Sequence, residues 1–323
     1  MSLLIMSSQF DHTTNMVIEW LIYHKIKYFR VNGETGNKSI DIEITEDGKC
    51  TIEVIDRFDR KLSFDEFSSF WYRRGDWQIA FPGVKRHKKN VSRILKDEWS
   101  IVREALHYIM DRKKSLGSLE KDKYQNKIKS LLVAAKLGIN VPETMITTNK
   151  NKLIKKVKSK DIITKAIYNM FQIVSANLVR RIGTKSVNGQ HLAFLEQCFF
   201  PTLVQTEIPK AYELRIFFIK EKFYSMAIFS QMDEMTKVDF RNYNREKPNR
   251  CLPFKLPEEI KCKLVQFNKI MNLDTGSIDM IVTPDNKFYF IEVNPIGQFG
   301  WVSKNCNYRL EEKIALYFKT SDT

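Results

Sequence analysis

Asp279, Glu292 and Asn294 carry the oxygen donors from which the chemistry of this chain is read. Residues 276–283 and 288–295 are rich in β-branched and aromatic side chains and flank Pro284-Asp285-Asn286-Lys287. That pattern predicts two antiparallel strands joined by a turn. A turn centred between Asp285 and Asn286 places Asp279 opposite Glu292, with Asn294 on the same face. Facing carboxylates repel, so a cation must sit between them. Two carboxylates and an amide oxygen form a hard site suited to Mg²⁺, with positions left for phosphate oxygens and water. The alternative is an edge hairpin with solvated acids. Ile, Val and Phe on both faces favour a buried strand pair.

Other residues point to anions. Lys165 ends the apolar stretch 161–165, and Lys127 follows Gln125-Asn126. Each is a point charge that suits phosphate, though a lysine so placed is more often solvent-facing, so each is a weak signal alone. Gln205, Thr206, Glu207 and Ile208 end a strand before Pro209. Extended chain of this kind offers backbone N–H and C=O groups to an adenine ring, or is a plain linker. Glu213 and Arg215 share one strand face, and Asp239 lies beside Arg241. Two guanidinium groups form a fork for carboxylate or phosphate, while a Glu213–Arg215 ion pair is the structural alternative. There is no Gly-x-x-x-x-Gly-Lys-Ser/Thr loop and no nucleophile–histidine set, so phosphate would be held by lysines and metal.

These residues need a scaffold of some size. With 323 residues and 43% hydrophobic content, two or three domains are expected. No apolar run is long enough to span a membrane and no secretory signal is visible. Five scattered cysteines without a C-x-x-C pair fit a reducing cytoplasm, and five scattered histidines make zinc improbable. Fifty-three basic against 38 acidic residues give a net charge of +15, which favours an acidic partner. A nucleic-acid-binding protein is the competing class. The basic residues are spread along the chain, not gathered in one stripe, which argues against it.

A strand over 3–6, a helix capped near Asp11 and a strand over 28–31 predict an opening β-α-β unit without a dinucleotide glycine motif. A hairpin follows over 40–56, then a strand over 69–75 and a helix over 90–112. Further helices are expected over 127–137, 150–160 and 257–271. Strands are expected over 144–147, 162–164 and 202–208, with a long hairpin over 213–229. The divisions expected are 1–115, 116–208 and 209–323.

In this order, the strand-end Lys165, Gln205-Thr206-Glu207-Ile208, Glu213-Leu214-Arg215, Asp239-Phe240-Arg241, Gly276-Ser277-Ile278-Asp279 and Ile291-Glu292-Val293-Asn294-Pro295 resemble the ATP-grasp ligases. More narrowly, the chain resembles the peptide maturases of graspetides (microviridin-like peptides with side-chain rings). Trp71-Tyr72-Arg73-Arg74-Gly75, Leu116-Gly117-Ser118 and Asn126-Lys127 are similar to the grasp-with-spasm branch.

The resemblance implies an α/β protein with α+β lobes: an ATP-grasp fold preceded by an N-terminal pre-ATP-grasp β-α-β domain. It implies ATP and Mg²⁺, with Lys127 and Lys165 on phosphates, 205–208 on adenine and Glu213 near the ribose. Asp279, Glu292 and Asn294 would hold Mg²⁺, and Arg215 and Arg241 would meet the γ-phosphate and substrate carboxylate. Asp239 is a candidate base. The implied partner is a precursor peptide with a leader and an acidic core, the leader docking on the apolar 214–230 hairpin and the 257–271 helix; a homodimer is possible. The implied reaction activates Asp or Glu side chains as acylphosphates and joins them to Thr, Ser or Lys. A ligase for free amino acids or a protein tail is the alternative. The adenine segment departs from the usual Gln-Glu-aromatic, and 166–174 lacks glycine, so the phosphate-covering loop is expected nearer Gly183 and Thr184.

Overall fold

The computed structural model describes residues 2–79, 89–168, 171–175, 178–231 and 248–319. The chain opens with β1 (Ser2–Ser7), α1 (His12–Tyr23) and β2 (Tyr28–Asn32). The Asp11 side chain caps α1 by accepting from the Thr14 N–H at 3.2 Å. Next come β3 (Asn37–Ile44), β4 (Cys50–Asp56), β5 (Lys61–Ser63), β6 (Phe67–Tyr72), α2 (Lys89–Asp111) and β7 (Lys114–Leu116). β1, β2, β6 and β7 form a parallel sheet in the order β2-β1-β6-β7. Leu3, Leu4, Ile5 and Met6 are all buried, because a parallel sheet is covered on both faces. β3, β4 and β5 make a separate antiparallel sheet.

The middle of the chain holds α3 (Leu119–Lys123), α4 (Lys127–Lys136), β8 (Thr144–Asn149), α5 (Lys150–Ser159), β9 (Ile162–Thr164), β10 (Phe171–Ser175), β11 (Leu178–Ile182), β12 (Lys185–Val187), α6 (Gly189–Ala193) and β13 (Cys198–Thr206). One sheet runs β12-β9-β13-β8, and β10 and β11 pair as a hairpin. The lysine-rich α5 turns Leu153 into the core and its lysines outward, as its pattern predicts.

The last part contains β14 (Tyr212–Ile219), β15 (Lys222–Phe229), β16 (Arg250–Phe254), α7 (Glu258–Ile270), β17 (Thr275–Val282), β18 (Phe288–Asn294), α8 (Gly300–Cys306) and α9 (Leu310–Phe318). The five strands form one antiparallel sheet in the order β16-β15-β14-β17-β18. Leu214, Ile216, Phe218 and Ala227 pack with Leu131 of α4 and Phe267 of α7. Phe217, Ile219, Met226 and Ile228 face the opposite way, packing with Val17 of α1, Val302 of α8 and Ile314 of α9. The first strand and the last helices therefore share one core. The same packing corrects one expectation. The 214–230 hairpin offers no apolar docking patch among the described residues, because helices cover both of its faces.

The β17–β18 turn also differs from expectation. It is centred on Asp285, with Val282 facing Phe288 and Ile281 facing Tyr289, and Asn286 takes a left-handed φ of 58°. Continued unchanged, that register would set Asp279 against Ile291. A bulge between Asp279 and Met280 shifts it, so Met280 faces Phe290 while Asp279 faces Glu292.

Candidate active site

The bulge has a chemical consequence. In an unbroken strand Phe290, Glu292 and Asn294 would share a face. Here Phe290 and Val293 both enter the core against α7, as do Ile278 and Met280. Ile291 and Glu292 stand between them, and Glu292 turns to the opposite side, where it lines a cleft with Asn294. On β14, Arg215 lies directly across from Asp279. Arg215, Asp279 and Glu292 thus form one row across three strands.

Each of the two acids has a side-chain cation of its own. Arg215 Nη1 donates to both Asp279 oxygens at 2.7 and 2.8 Å. Lys127 Nζ lies 3.2 Å from Glu292 Oε2 and donates to the Ala166 carbonyl at 3.0 Å. Lys127 is the first residue of α4, where the helix dipole disfavours a positive charge. The Asn126 side chain caps that helix by accepting from the Ile128 and Lys129 N–H groups, both at 3.0 Å. The Glu292 carboxylate offsets the unfavourable position of Lys127.

Glu213 does not pair with Arg215. It is buried and forms an ion pair with Lys210. Gln205 is fully buried; its Nε2 donates to Thr144 Oγ1 at 2.8 Å, while its Oε1 and the Thr206 Oγ1 have no partner among the described residues. The 205–208 backbone is less open than expected. Thr206 N–H donates to Glu143 at 3.0 Å and Glu207 N–H to Asp161 at 2.9 Å. The Glu207 carbonyl and the Ile208 N–H are left without bonds among the described residues.

Two spaces meet at this row. A cleft of about 930 Å³ is lined by Lys127, Lys165, Glu292 and Asn294 on one side and by Arg74 and Asp122 on the other. A narrower, largely apolar slot runs between Gln205, Ile208, Glu213, Met280 and Ile291. Lys165, Thr184 and Glu292 line both, so the slot opens into the cleft beside them. Gly183 lines the cleft where the phosphate-covering segment was expected. Asp239 and Arg241 lie outside the described residues.

Among the described residues no three His, Cys, Asp or Glu side chains come together as a metal site. The set here is two carboxylates and one amide, which is compatible with Mg²⁺, because that ion usually takes one or two carboxylates and completes its shell with phosphate and water. Asn294 Oδ1 accepts from the Ile296 N–H at 3.0 Å, which fixes the amide at the end of β18.

One residue carried no role in the sequence reading. Arg73 follows β6 and is only 4% exposed. It pairs with Asp11 at 3.1 Å and donates to the Ile296 and Gly297 carbonyls, each at 3.1 Å. Its guanidinium lies over the Phe299 ring, 5.1 Å from the centroid. Arg73 thereby ties the first sheet to the turn after Asn294. In the sequence it stands in Trp71-Tyr72-Arg73-Arg74-Gly75, a stretch read there as a mark of resemblance and given no role of its own.

The model for the RimK-like ATP-grasp domain matches residues 124–318. The chain belongs to this family. No curated protein matches it at the level of sequence. Among solved structures, this ATP-grasp chain is similar to the RiPP-associated ATP-grasp ligase of Chryseobacterium gregarium, in complex with ADP and a leader and core peptide. The TM-score is 0.84 at 25% identity, over 98% of this chain and 95% of that one. It is also similar to macrocyclase MdnC of Microcystis aeruginosa, bound with precursor peptide MdnA: TM-score 0.79, 26% identity, 98% of both chains. Macrocyclase MdnB from the same organism shares the fold, with TM-score 0.74 at 18% identity over 99% of this chain and 100% of that one. No helix among the described residues of this ATP-grasp protein is long and apolar enough to cross a membrane.

Proposed function

We propose that the protein is an ATP-dependent macrocyclase. It activates Asp or Glu side chains of a ribosomal precursor peptide as acylphosphates and joins them to Thr or Ser as esters, or to Lys as amides. The observation that carries this reading is the Arg215–Asp279–Glu292 row at the meeting of slot and cleft. It occurs in a chain similar over 98% of its length to MdnC, a macrocyclase bound with its precursor peptide.

The apolar slot would take the adenine ring, with the Glu207 carbonyl and the Ile208 N–H beside it as the backbone acceptor and donor available to its edge. Gln205 and Thr206 back that edge, and Glu213 meets the ribose. Lys127 and Lys165 neutralise the phosphates as point charges. Asp279, Glu292 and Asn294 hold Mg²⁺, which neutralises phosphate charge when bound. Arg215 then turns from Asp279 toward the reacting groups, with Arg241 as the second guanidinium. Carboxylate attack on a triphosphate is repulsive, so these positive groups supply most of the catalysis by neutralisation and alignment. The lobes 116–208 and 209–323 close on the nucleotide, with 1–115 as the wall across the cleft.

A net charge of +15 suits an acidic core peptide. Because the hairpin's apolar side chains are covered, the leader docks in the groove of mixed lining formed by Lys220 and Glu221 at the hairpin turn, Val265, Asn268 and Lys269 of α7, and Leu273. The reading is tested by mass spectrometry after incubation with the precursor peptide encoded beside this gene, ATP and Mg²⁺. Each ring formed removes one water. Unmodified peptide with intact ATP overturns the reading, and ATP consumption with free amino acids alone favours the amino-acid ligase.

A further inference from the structure

We propose that Asp122 is the general base that takes the proton from the acceptor hydroxyl as the ring closes. This rests on the macrocyclase reading and adds a residue from the opposite wall of the same cleft.

Esterification differs from activation in its needs. A Thr or Ser hydroxyl is a weak nucleophile and must lose its proton during attack. The wall facing the metal strand belongs to the region around β6, α2 and α3. It exposes two carboxylates to the cleft, Asp76 and Asp122. Asp76 is already committed: Arg103 lies 2.9 Å from it, the His107 ring 3.2 Å, and the Trp77 N–H donates to it at 2.9 Å. Asp122 forms no side-chain hydrogen bond and no ion pair among the described residues, so its lone pairs are open to the cleft. Burial pushes its pKa above the ordinary carboxylate range, and Arg74 and then Arg73 pull it back. Desolvation disfavours the charged form of Asp122 and makes its carboxylate a better proton acceptor.

The backbone that carries the carboxylate is also held in place. Gly117, with φ of 74°, sits so close to β6 that an added Cβ would lie 2.4 Å from the Tyr72 carbonyl. The Gly117 N–H donates to Asp274 at 3.1 Å, and Ser118 Oγ donates to Asp111 at 2.6 Å. The Asp122 N–H donates to the Ser118 carbonyl at 3.1 Å, which closes the first turn of α3. The start of this helix is thus fixed against two parts of the fold. Lys127, on the opposite wall, belongs to the next helix.

In the proposed step the hydroxyl oxygen bonds to the acyl carbon. The bond from that carbon to the bridging phosphate oxygen breaks, and phosphate leaves with the electron pair. The hydroxyl proton passes to the Asp122 carboxylate, which releases it to water before the next ring. Charged and titratable groups around it are Arg73, Arg74, Tyr72 and Asp76 from β6 and the loop after it, Arg103 from α2 and Lys123 beside it.

The test is Asp122→Asn in the full chain with precursor peptide, ATP and Mg²⁺, reading ring formation by mass and acylphosphate by hydroxamate formation with added hydroxylamine. Hydroxylamine attacks as a neutral amine and does not require prior proton removal. Ring closure should fall on the order of 10²-fold or more, the usual contribution of a positioned base. Hydroxamate should stay within a few-fold of wild type. Ring closure near the wild-type rate overturns the proposal. So does a parallel loss of ring and hydroxamate, which would place Asp122 in activation or folding. If the wild-type protein makes neither ring nor hydroxamate, the macrocyclase reading itself fails and takes the base with it.

Discussion

Arg215 Nη1 bridges the two oxygens of Asp279, the residue it faces across the β14–β17 pair. A single guanidinium nitrogen holds a carboxylate assigned to the metal. If Arg215 serves the reacting groups as proposed, Arg215→Ala should lower peptide-dependent ADP release on the order of 10²-fold or more. Steady-state ADP release with saturating precursor measures this. A change under threefold would remove Arg215 from the catalytic set.

Asp279→Asn and Glu292→Gln should each bring ADP release to background, and chelating Mg²⁺ should do the same to the wild type. Binding gives a second readout. A ligand at 100 times its Kd stabilises the folded state by about 2.7 kcal/mol. MgADP should raise the melting temperature of the wild type more than ADP with chelator does. Asp279→Asn should lose that difference.

Asp122 yields a stability prediction of definite sign. Its folded pKa is raised above the ordinary 3.8, so the folded state binds more protons between the two values. Stability therefore falls as pH rises through that window, and the ionised carboxylate is a cost at neutral pH. Asp122→Asn should melt at or above the wild-type temperature at pH 7, with the gap closing below the unfolded value. A lower melting temperature at pH 7 would show that the charge is compensated in the fold.

Arg73→Ala should be strongly destabilising, by about 3–5 kcal/mol, because it strands a buried partner charge and leaves carbonyls without donors. Burial pushes the Arg73 pKa down to about 10, and the Asp11 carboxylate opposes that shift. Urea unfolding measures the loss. A loss below about 1 kcal/mol, the scale of an exposed pair, would show that the clamp on Ile296 and Gly297 is dispensable.

Gly297→Ala should impair both fold and activity. An added Cβ would lie 2.1 Å from Ser277 Oγ and 2.6 Å from the Ser277 N. Ser277→Gly should not rescue it, because the backbone nitrogen remains. Rescue in thermal unfolding would show that only the side chain was in the way.

The elements that carry the site were legible because their signals are local. Runs of β-branched and aromatic residues around a turn marked β17 and β18, Asp11 announced the helix it caps, and the lysine-rich stretch marked α5. The pairing of Asp279 with Glu292 was read from the turn, yet the turn alone would have paired Asp279 with Ile291. The bulge restores the pairing, and no residue type marks it.

By itself, the sequence determined which side chains could meet phosphate and metal, because charge, strand alternation and turn chemistry act over a few residues. Tertiary structure decided their partners. Arg215 took Asp279 and left Glu213 to Lys210, since strand register sets which charges face one another. Lys127 reached Glu292, and Arg73 reached the turn after Asn294. Asp122 came to line the same cleft as Glu292 and Asn294 of β18. Apart from Lys210 and Glu213, those relationships join residues far apart in the chain, and only packing of the sheets and helices brings them within reach.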